Sequence, residues 1–181
     1  MDRQPVHEEM ERARADFVRL VADAGGEELR ASSAGTRWSN RQLLFHMVLG
    51  YVIIRALGNL VRLFGRLPRG ASRRFAAALD AATPLFDQVN FVGSWAGGQT
   101  LTPARMSRLL DRTVAKLHRR LDAESEADLE RGMHYPTRWD PFFRDYMTLA
   151  DVYRFPTQHF EFHRRQLTLG PRSPERRAAG G

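Results

Sequence analysis

Hydrophobic residues recur at steps of three and four positions in four long stretches of the chain. This spacing places the apolar side chains on one face of an α-helix. The first stretch starts at Pro5, a residue tolerated in a first helical turn, and ends at Gly25. The second begins with a capping-box sequence at Ser39 and runs to about Gly65. Each stretch predicts one amphipathic helix.

The third and fourth helices are marked by residues typical of helix ends. Thr102 and Pro103 supply an N-cap and a first-turn proline, and the apolar stripe behind them predicts a helix over roughly residues 103–123. Thr148 opens another capping box, and the helix that follows is predicted to end at Gly170. Pro156 lacks a backbone donor and should kink or divide this fourth helix.

Two long connections separate the later helices. Residues 67–98 are interrupted by prolines and glycines and are predicted to carry one or two short helices. Residues 124–147 include two prolines around Trp139, which favour extended or turn geometry, and show no strand-like alternation. We therefore predict an all-α four-helix bundle with long crossover connections over residues 1–170, followed by a disordered tail over residues 171–181.

The composition is typical of a globular domain. Of the 181 residues, 43% are hydrophobic and 27% charged, which is enough apolar material for a core without disulfides. The absence of cysteine excludes a disulfide scaffold, a thiolate metal site and a cysteine nucleophile. Any thiol chemistry would therefore need a thiol ligand.

The charge pattern bears on partners and location. The net charge is +7, but the arginines are spread along the chain without the interleaved aromatics of single-strand binders, so no nucleic-acid partner is expected. The most apolar run, residues 43–63, contains His46 and Arg55 and fails the composition of a membrane span. The N-terminus lacks the apolar core of a secretory signal. We expect a cytoplasmic protein with no membrane partner.

The most informative polar residues are histidines. His159 and His163 are four positions apart, so both imidazoles lie on one face of the fourth helix. His46 lies on the apolar face of the second helix, where it could bring a third nitrogen to the same ion. His46 as a core residue and the pair as a solvated face remain the alternatives. The inward position of the pair favours a metal site, because unpaired buried imidazoles are costly to desolvate.

The remaining histidines carry weaker signals. His7 lies near the N-terminus, His118 lies off the apolar stripe of the third helix, and His134 lies in a predicted loop. We interpret all of them as structural or surface residues rather than ligands.

Two segments resemble the DinB/YfiT superfamily. Residues 35–46, with Trp38-Ser39 followed by His46, are similar to the start of that family's second helix. Residues 159–167 resemble its final helix, in which a His-x-x-x-His motif precedes Arg-x-Gln and an aliphatic residue. The order and separation of the helices agree over about residues 5–169. The resemblance implies a down-up-up-down bundle in which His46, His159 and His163 bind a divalent metal, usually zinc or nickel.

The same resemblance implies a function, namely metal-dependent transfer of a low-molecular-weight thiol such as mycothiol or bacillithiol to an electrophilic small molecule. A metal-dependent hydrolase and a non-catalytic protein that binds or sequesters a small molecule are the alternatives. Whether the protein forms a homodimer is left open by the sequence, and no catalytic acid or base is identified. Gln42 and Gly50, one turn either side of His46, would flank the ion; Gly50 either makes room there or allows close helix packing.

Two features depart from the family pattern. Pro156 lies three residues before His159. The surroundings are also unusually aromatic, which indicates a larger or more apolar substrate; the residues concerned are Phe155, Phe160 and Phe162. Four further aromatic residues either line the mouth of the site or serve in ordinary packing: Trp38, Trp95, Trp139 and Tyr135.

Overall fold

A computed structural model of the chain describes residues 2–170. The predicted tail, residues 171–181, lies outside the described residues. The elements in chain order are α1 Gln4–Asp23, α2 Gly26–Arg30, α3 Asn40–Phe64, α4 Arg69–Ala81, α5 Thr83–Thr100, α6 Pro103–Ala123, α7 Glu126–Glu130, β1 Gly132–His134, β2 Tyr146–Thr148 and α8 Leu149–Arg164.

Four long helices form the bundle. Helix α3 packs against α6 and α8, and α1 packs against the same two helices, which closes a ring of four. Fully buried residues from all four helices meet inside it, among them Phe17, Tyr51, Leu117 and Phe160. The predicted all-α four-helix bundle is therefore confirmed.

The helix starts follow from their capping residues. The Ser39 hydroxyl accepts a hydrogen bond from the Gln42 backbone N–H, and the Gln42 side chain accepts one from the Ser39 N–H. Thr148 and Asp151 form the same reciprocal pair at the start of α8. These bonds satisfy backbone donors that a helix terminus leaves without a partner.

The prediction of only short helices between residues 67 and 98 is wrong. Besides the 13-residue α4, this region forms α5, a helix of 18 residues. A Cβ atom at Gly97 would lie 2.1 Å from the Phe45 ring, and one at Gly98 would lie 2.7 Å from the Gln42 backbone. The glycines that suggested helix breaks therefore let α5 pack closely on α3.

Helix α8 differs from its prediction at two points. It is not divided at Pro156, which is buried inside a continuous helix. It also ends at Arg164 rather than near Gly170. The Ala34 N–H donates to the Gln166 carbonyl at 2.7 Å, and the Thr168 N–H donates to the Asn40 side chain at 3.0 Å. These tertiary bonds replace the last helical turns.

Two strands were not predicted. Strands β1 and β2 have three residues each and pair antiparallel, with Met133 opposite Met147. They are too short to show alternation in the sequence. His134 therefore lies in a strand rather than in a loop, while the turns predicted around Trp139 are present between the two strands.

Helix α3 is, by length and composition, apolar enough to cross a membrane, so the prediction that residues 43–63 fail the composition of a membrane span is wrong. Half of its most apolar 18-residue window is buried inside the protein. Helices α5, α6 and α8 all contact this helix.

Candidate metal centre

The structure brings His46, His159 and His163 together between α3 and α8; we call these residues the histidine triad. One ring nitrogen of each lies within 4.8 Å of the corresponding nitrogens of the other two. All three residues are buried. The four-residue spacing on α8 and the contact between α8 and α3 thus place three imidazoles at one point.

Gly50 makes room for this arrangement. A Cβ atom at that position would lie 2.6 Å from Cδ2 of His159, closer than real Cβ contacts come. The glycine lies one turn after His46 on α3, so the ring of His159 fits directly against the α3 backbone. Both interpretations of Gly50 therefore hold, because the close packing of α3 and α8 is what makes room for His159.

Each triad ring is anchored through its Nδ1 atom. The Nδ1 atoms of His46, His159 and His163 lie 3.0, 3.0 and 2.6 Å from Ser94 Oγ, Asp140 Oδ2 and Gln166 Oε1. A carboxylate or an amide oxygen only accepts hydrogen bonds, so His159 and His163 carry their proton on Nδ1. Their Nε2 lone pairs are then free to bind a cation, as in metal sites whose histidines donate the other N–H to an acceptor.

An unpaired buried nitrogen is further evidence that the triad fits a metal ion. The Nε2 atom of His159 is buried and has no hydrogen-bond partner within residues 2–170. An unpaired buried polar atom costs free energy, and a cation bound at the triad would remove that cost. Three histidine nitrogens with open positions are a common ligand set for catalytic zinc.

Burial keeps two of the imidazoles neutral. It lowers the pKa of His46 well below its ordinary value, and the neighbouring His159 and His163 lower it further. Burial, followed by the effect of His159, also lowers the pKa of His163 to about 4, against a smaller opposing effect of its bond to Gln166. Neutral imidazole is the form that binds metals, so the site is prepared for a cation at neutral pH.

The triad lies at the wall of an apolar cavity of about 500 Å³. Trp38 stacks on His46 with ring centroids 4.5 Å apart, and Trp139 stacks on Phe86 at 3.9 Å. Asp140 is the one charged residue among the described residues that line this cavity. Both of its oxygens accept hydrogen bonds, one from His159 and one from the Phe142 N–H. The cavity therefore suits a neutral, apolar molecule.

A second, polar cleft adjoins the apolar cavity. Its volume is about 360 Å³, and it shares Trp38, Asn90 and His163 with the cavity. Its other lining residues are mostly polar or charged: Gly35, Thr36, Arg37, Asp87, Phe91 and Gln166. Two spaces of different polarity thus meet at the triad.

The remaining predicted site residues lie elsewhere. Gln42 uses its side-chain oxygen in the helix cap at Ser39 and does not line the cavity. Trp38 and Trp139 line the cavity, whereas Trp95 is about half exposed and Tyr135 packs in the core against Phe143. Gln42 therefore does not flank the triad as predicted, and the two alternatives for the aromatic residues divide: Trp38 and Trp139 line the cavity, whereas Trp95 and Tyr135 do not.

The histidines interpreted as structural lie outside the triad. His134 is buried in β1, with Nδ1 3.1 Å from Asp145. His7 and His118 contact each other between α1 and α6.

The sequence did not reveal the residues that anchor the rings. Ser94 and Asp140 are 48 and 19 positions away from the histidines they contact, so no local pattern connects them. Ser94 also lies in the glycine-rich stretch whose helices were predicted to be short. Gln166 follows His163 by three residues at the helix end, and this spacing was the one available signal.

Comparison with known proteins supplies the family. The chain matches the family model of the DinB superfamily over residues 9–167, which is most of its length. Neither a curated protein nor a solved structure gives a significant match.

Proposed function

The chain belongs to the DinB superfamily, and on that premise we propose that it is a metal-dependent enzyme that transfers a low-molecular-weight thiol, of the mycothiol or bacillithiol type, to an electrophilic small molecule. The observation that carries the proposal is the convergence of three buried imidazoles where an apolar cavity meets a polar cleft. A zinc or nickel ion held by His46, His159 and His163 would keep its full charge and lower the pKa of a coordinated thiol or water, which supplies a nucleophile near neutral pH.

The two spaces divide the work of binding. The apolar cavity takes the electrophile, because its walls are aliphatic and aromatic and none of the arginines in residues 2–170 lines it. The polar cleft takes the hydrophilic part of the thiol, since Arg37, Asp87 and Asn90 offer it charges and hydrogen bonds. His163 and Trp38 border both spaces, so the two reactants meet beside the triad.

Hydrolysis is less well supported by the same residues. A hydrolytic site benefits from a general base near the attacking water. Asp140 is the one carboxylate in the described lining of the apolar cavity, and its two oxygens are engaged with His159 and the Phe142 N–H, while Asp87 lines the polar cleft instead. Thiol transfer depends less on a general base, because a thiol ionises more readily than water.

The experiment is a turnover assay with metal-loaded protein. Mycothiol, bacillithiol and glutathione are each tested against a panel of neutral, apolar electrophiles. We expect product formation that needs both the thiol and the metal and that is lost in His159→Ala. The matched control is His134→Gln, which removes a buried histidine outside the triad. Metal-dependent product without any thiol would identify a hydrolase, and tight binding without turnover would identify a sequestering protein.

A further inference from the structure

A second cluster of histidines and carboxylates lies at the contact between α1 and α6. His7 and Glu11 are one helical turn apart on α1, and His118 and Asp122 are one turn apart on α6. The four residues pair crosswise between the helices. His7 Nε2 lies 2.8 Å from Asp122 Oδ1, and His118 Nε2 lies 2.9 Å from Glu11 Oε1.

This pairing fixes where the ring protons are. A carboxylate only accepts hydrogen bonds, so each Nε2 carries a proton and donates it. Glu11 is ionised at neutral pH: burial acts to raise its pKa, but bonds to Arg14 and His118 outweigh this and lower it. The Nδ1 atom of each histidine therefore carries a lone pair when the ring is neutral.

The two Nδ1 atoms face each other directly. They are the closest atoms of a contact between rings whose centroids are 4.5 Å apart. Two lone pairs repel each other at such a contact, so the arrangement needs a positive charge between them. A proton shared by the rings or a metal cation meets this need, and these two occupants predict different behaviour.

We propose that His7 and His118 form a second metal site, which binds a late first-row divalent cation such as Zn²⁺ through the two Nδ1 atoms. Each ligand ring then donates its other N–H to a carboxylate, the pattern that orients metal-bound histidines and raises their basicity. The two histidine side chains are 19% exposed, so water completes the coordination shell and the rings can part slightly to admit the ion. The ion links α1 to α6.

The proposal does not depend on the function of the triad. The nitrogens are on other helices than α3 and α8, and the described contacts of the pair are with Glu11 and Asp122 rather than with a cavity. Neither the apolar cavity nor the polar cleft is lined by His7 or His118, so the site suits an ion that holds two helices together rather than one that meets a substrate.

The test is a Zn²⁺ titration of the full chain, followed by calorimetry and by elemental analysis after desalting. We expect two ions per chain. His7→Gln and His118→Gln should each weaken one of the two ions at least tenfold, while His159→Ala weakens the other. Glu8→Gln, which removes an exposed carboxylate next to His7, serves as the matched control and should retain both ions.

A spectroscopic measurement distinguishes the loss of a metal ligand from poor folding of a variant. In protein whose triad is already loaded with Zn²⁺, added Cu²⁺ should give an electron paramagnetic resonance signal with coupling to two nitrogens, and His118→Gln should remove one of them. Addition of Zn²⁺ should also raise the melting temperature of His159→Ala, because the ion binds the folded state. The proposal is overturned if His7→Gln and His118→Gln leave the Zn²⁺ stoichiometry and affinity unchanged, which would identify a shared proton between the rings.

Discussion

The histidine triad and the pair of His7 and His118 differ in two respects. A different ring nitrogen is anchored by a hydrogen bond in each, and different polar groups provide the anchors. In the triad the Nδ1 atoms are held by a hydroxyl, a carboxylate and an amide, and the Nε2 atoms converge. In the pair the Nε2 atoms are held by two carboxylates and the Nδ1 atoms converge. The triad is buried beside a cavity, whereas the pair is partly exposed between two helices.

If both sites bind a cation as proposed, the difference gives the two ions different roles in one fold. A buried set of three imidazole ligands, with open space on one side, favours tight binding and contact with a small molecule. Two exposed ligands favour weaker binding, because water remains around the ion and fewer protein atoms hold it. Variants at each site test how tightly the ion is bound, how the rings are held and how they are protonated.

Removal of a triad ligand should have the largest effect. His159→Ala deletes the ring with the unpaired Nε2 atom and leaves two nitrogens on different helices. We expect a loss of at least about 10³-fold in the affinity of the triad ion, since ligand loss exceeds the 10–100-fold effect typical of outer residues. Competition with a zinc chelator measures it. His134→Gln should leave the triad ion in place, and an equal loss in that variant would contradict the assignment.

Gly50→Ala should have the next largest effect. The new Cβ atom would lie 2.6 Å from the His159 ring, so α3 and α8 must separate or the ring must rotate away from the other ligands. We expect unfolding to become easier by about 1–3 kcal/mol and the triad ion to bind more weakly.

Gly93→Ala is the matched control, because a Cβ atom there meets nothing within 4 Å. It should stabilise α5 by roughly 0.5–1 kcal/mol through reduced backbone freedom in the unfolded chain. Denaturant titration and chelator competition on both variants give the comparison. If Gly50→Ala bound the triad ion as tightly as Gly93→Ala, the close approach of His159 would not matter for the site.

These glycines show where sequence reasoning succeeded and failed. The four bundle helices and their capping residues follow from apolar periodicity and local hydrogen bonding, which are properties of neighbouring residues. The three histidines follow from helix phase and from a motif. The full length of helix α5 does not follow from the sequence, because Gly97 and Gly98 weaken a helix locally. Only the packing of these glycines on Phe45 and Gln42 explains why they are there. Ser94 and Asp140 likewise act across long separations that no local pattern records.

Asp140→Asn should have an intermediate effect that tests how the rings are held. The change removes the charge that favours the Nδ1 proton of His159 and keeps the size of the side chain. We expect the triad ion to bind about 10–100-fold more weakly. Asp145→Asn is the matched control, because Asp145 makes the same contact with the Nδ1 atom of His134 outside the triad. Equal affinities in the two variants would show that the Asp140 carboxylate does not orient a ligand.

The smallest effect concerns protonation of the metal-free protein. Burial lowers the pKa of His163 to about 4, whereas in the unfolded chain it returns to its ordinary value of 6.5. As pH falls below 6.5 the unfolded state binds protons that the folded state does not, so the free energy of unfolding decreases until about pH 4. The contribution of His163 alone is about 1 kcal/mol between roughly pH 7 and 5.5.

Denaturant titrations of the metal-free protein across this range measure the slope of the free energy of unfolding against pH. It should be shallower in His163→Gln, which retains a polar side chain but cannot titrate. An unchanged slope in that variant would mean that His163 is not kept neutral by burial, and the contrast between the buried triad and the carboxylate-anchored pair would lose one of its supports.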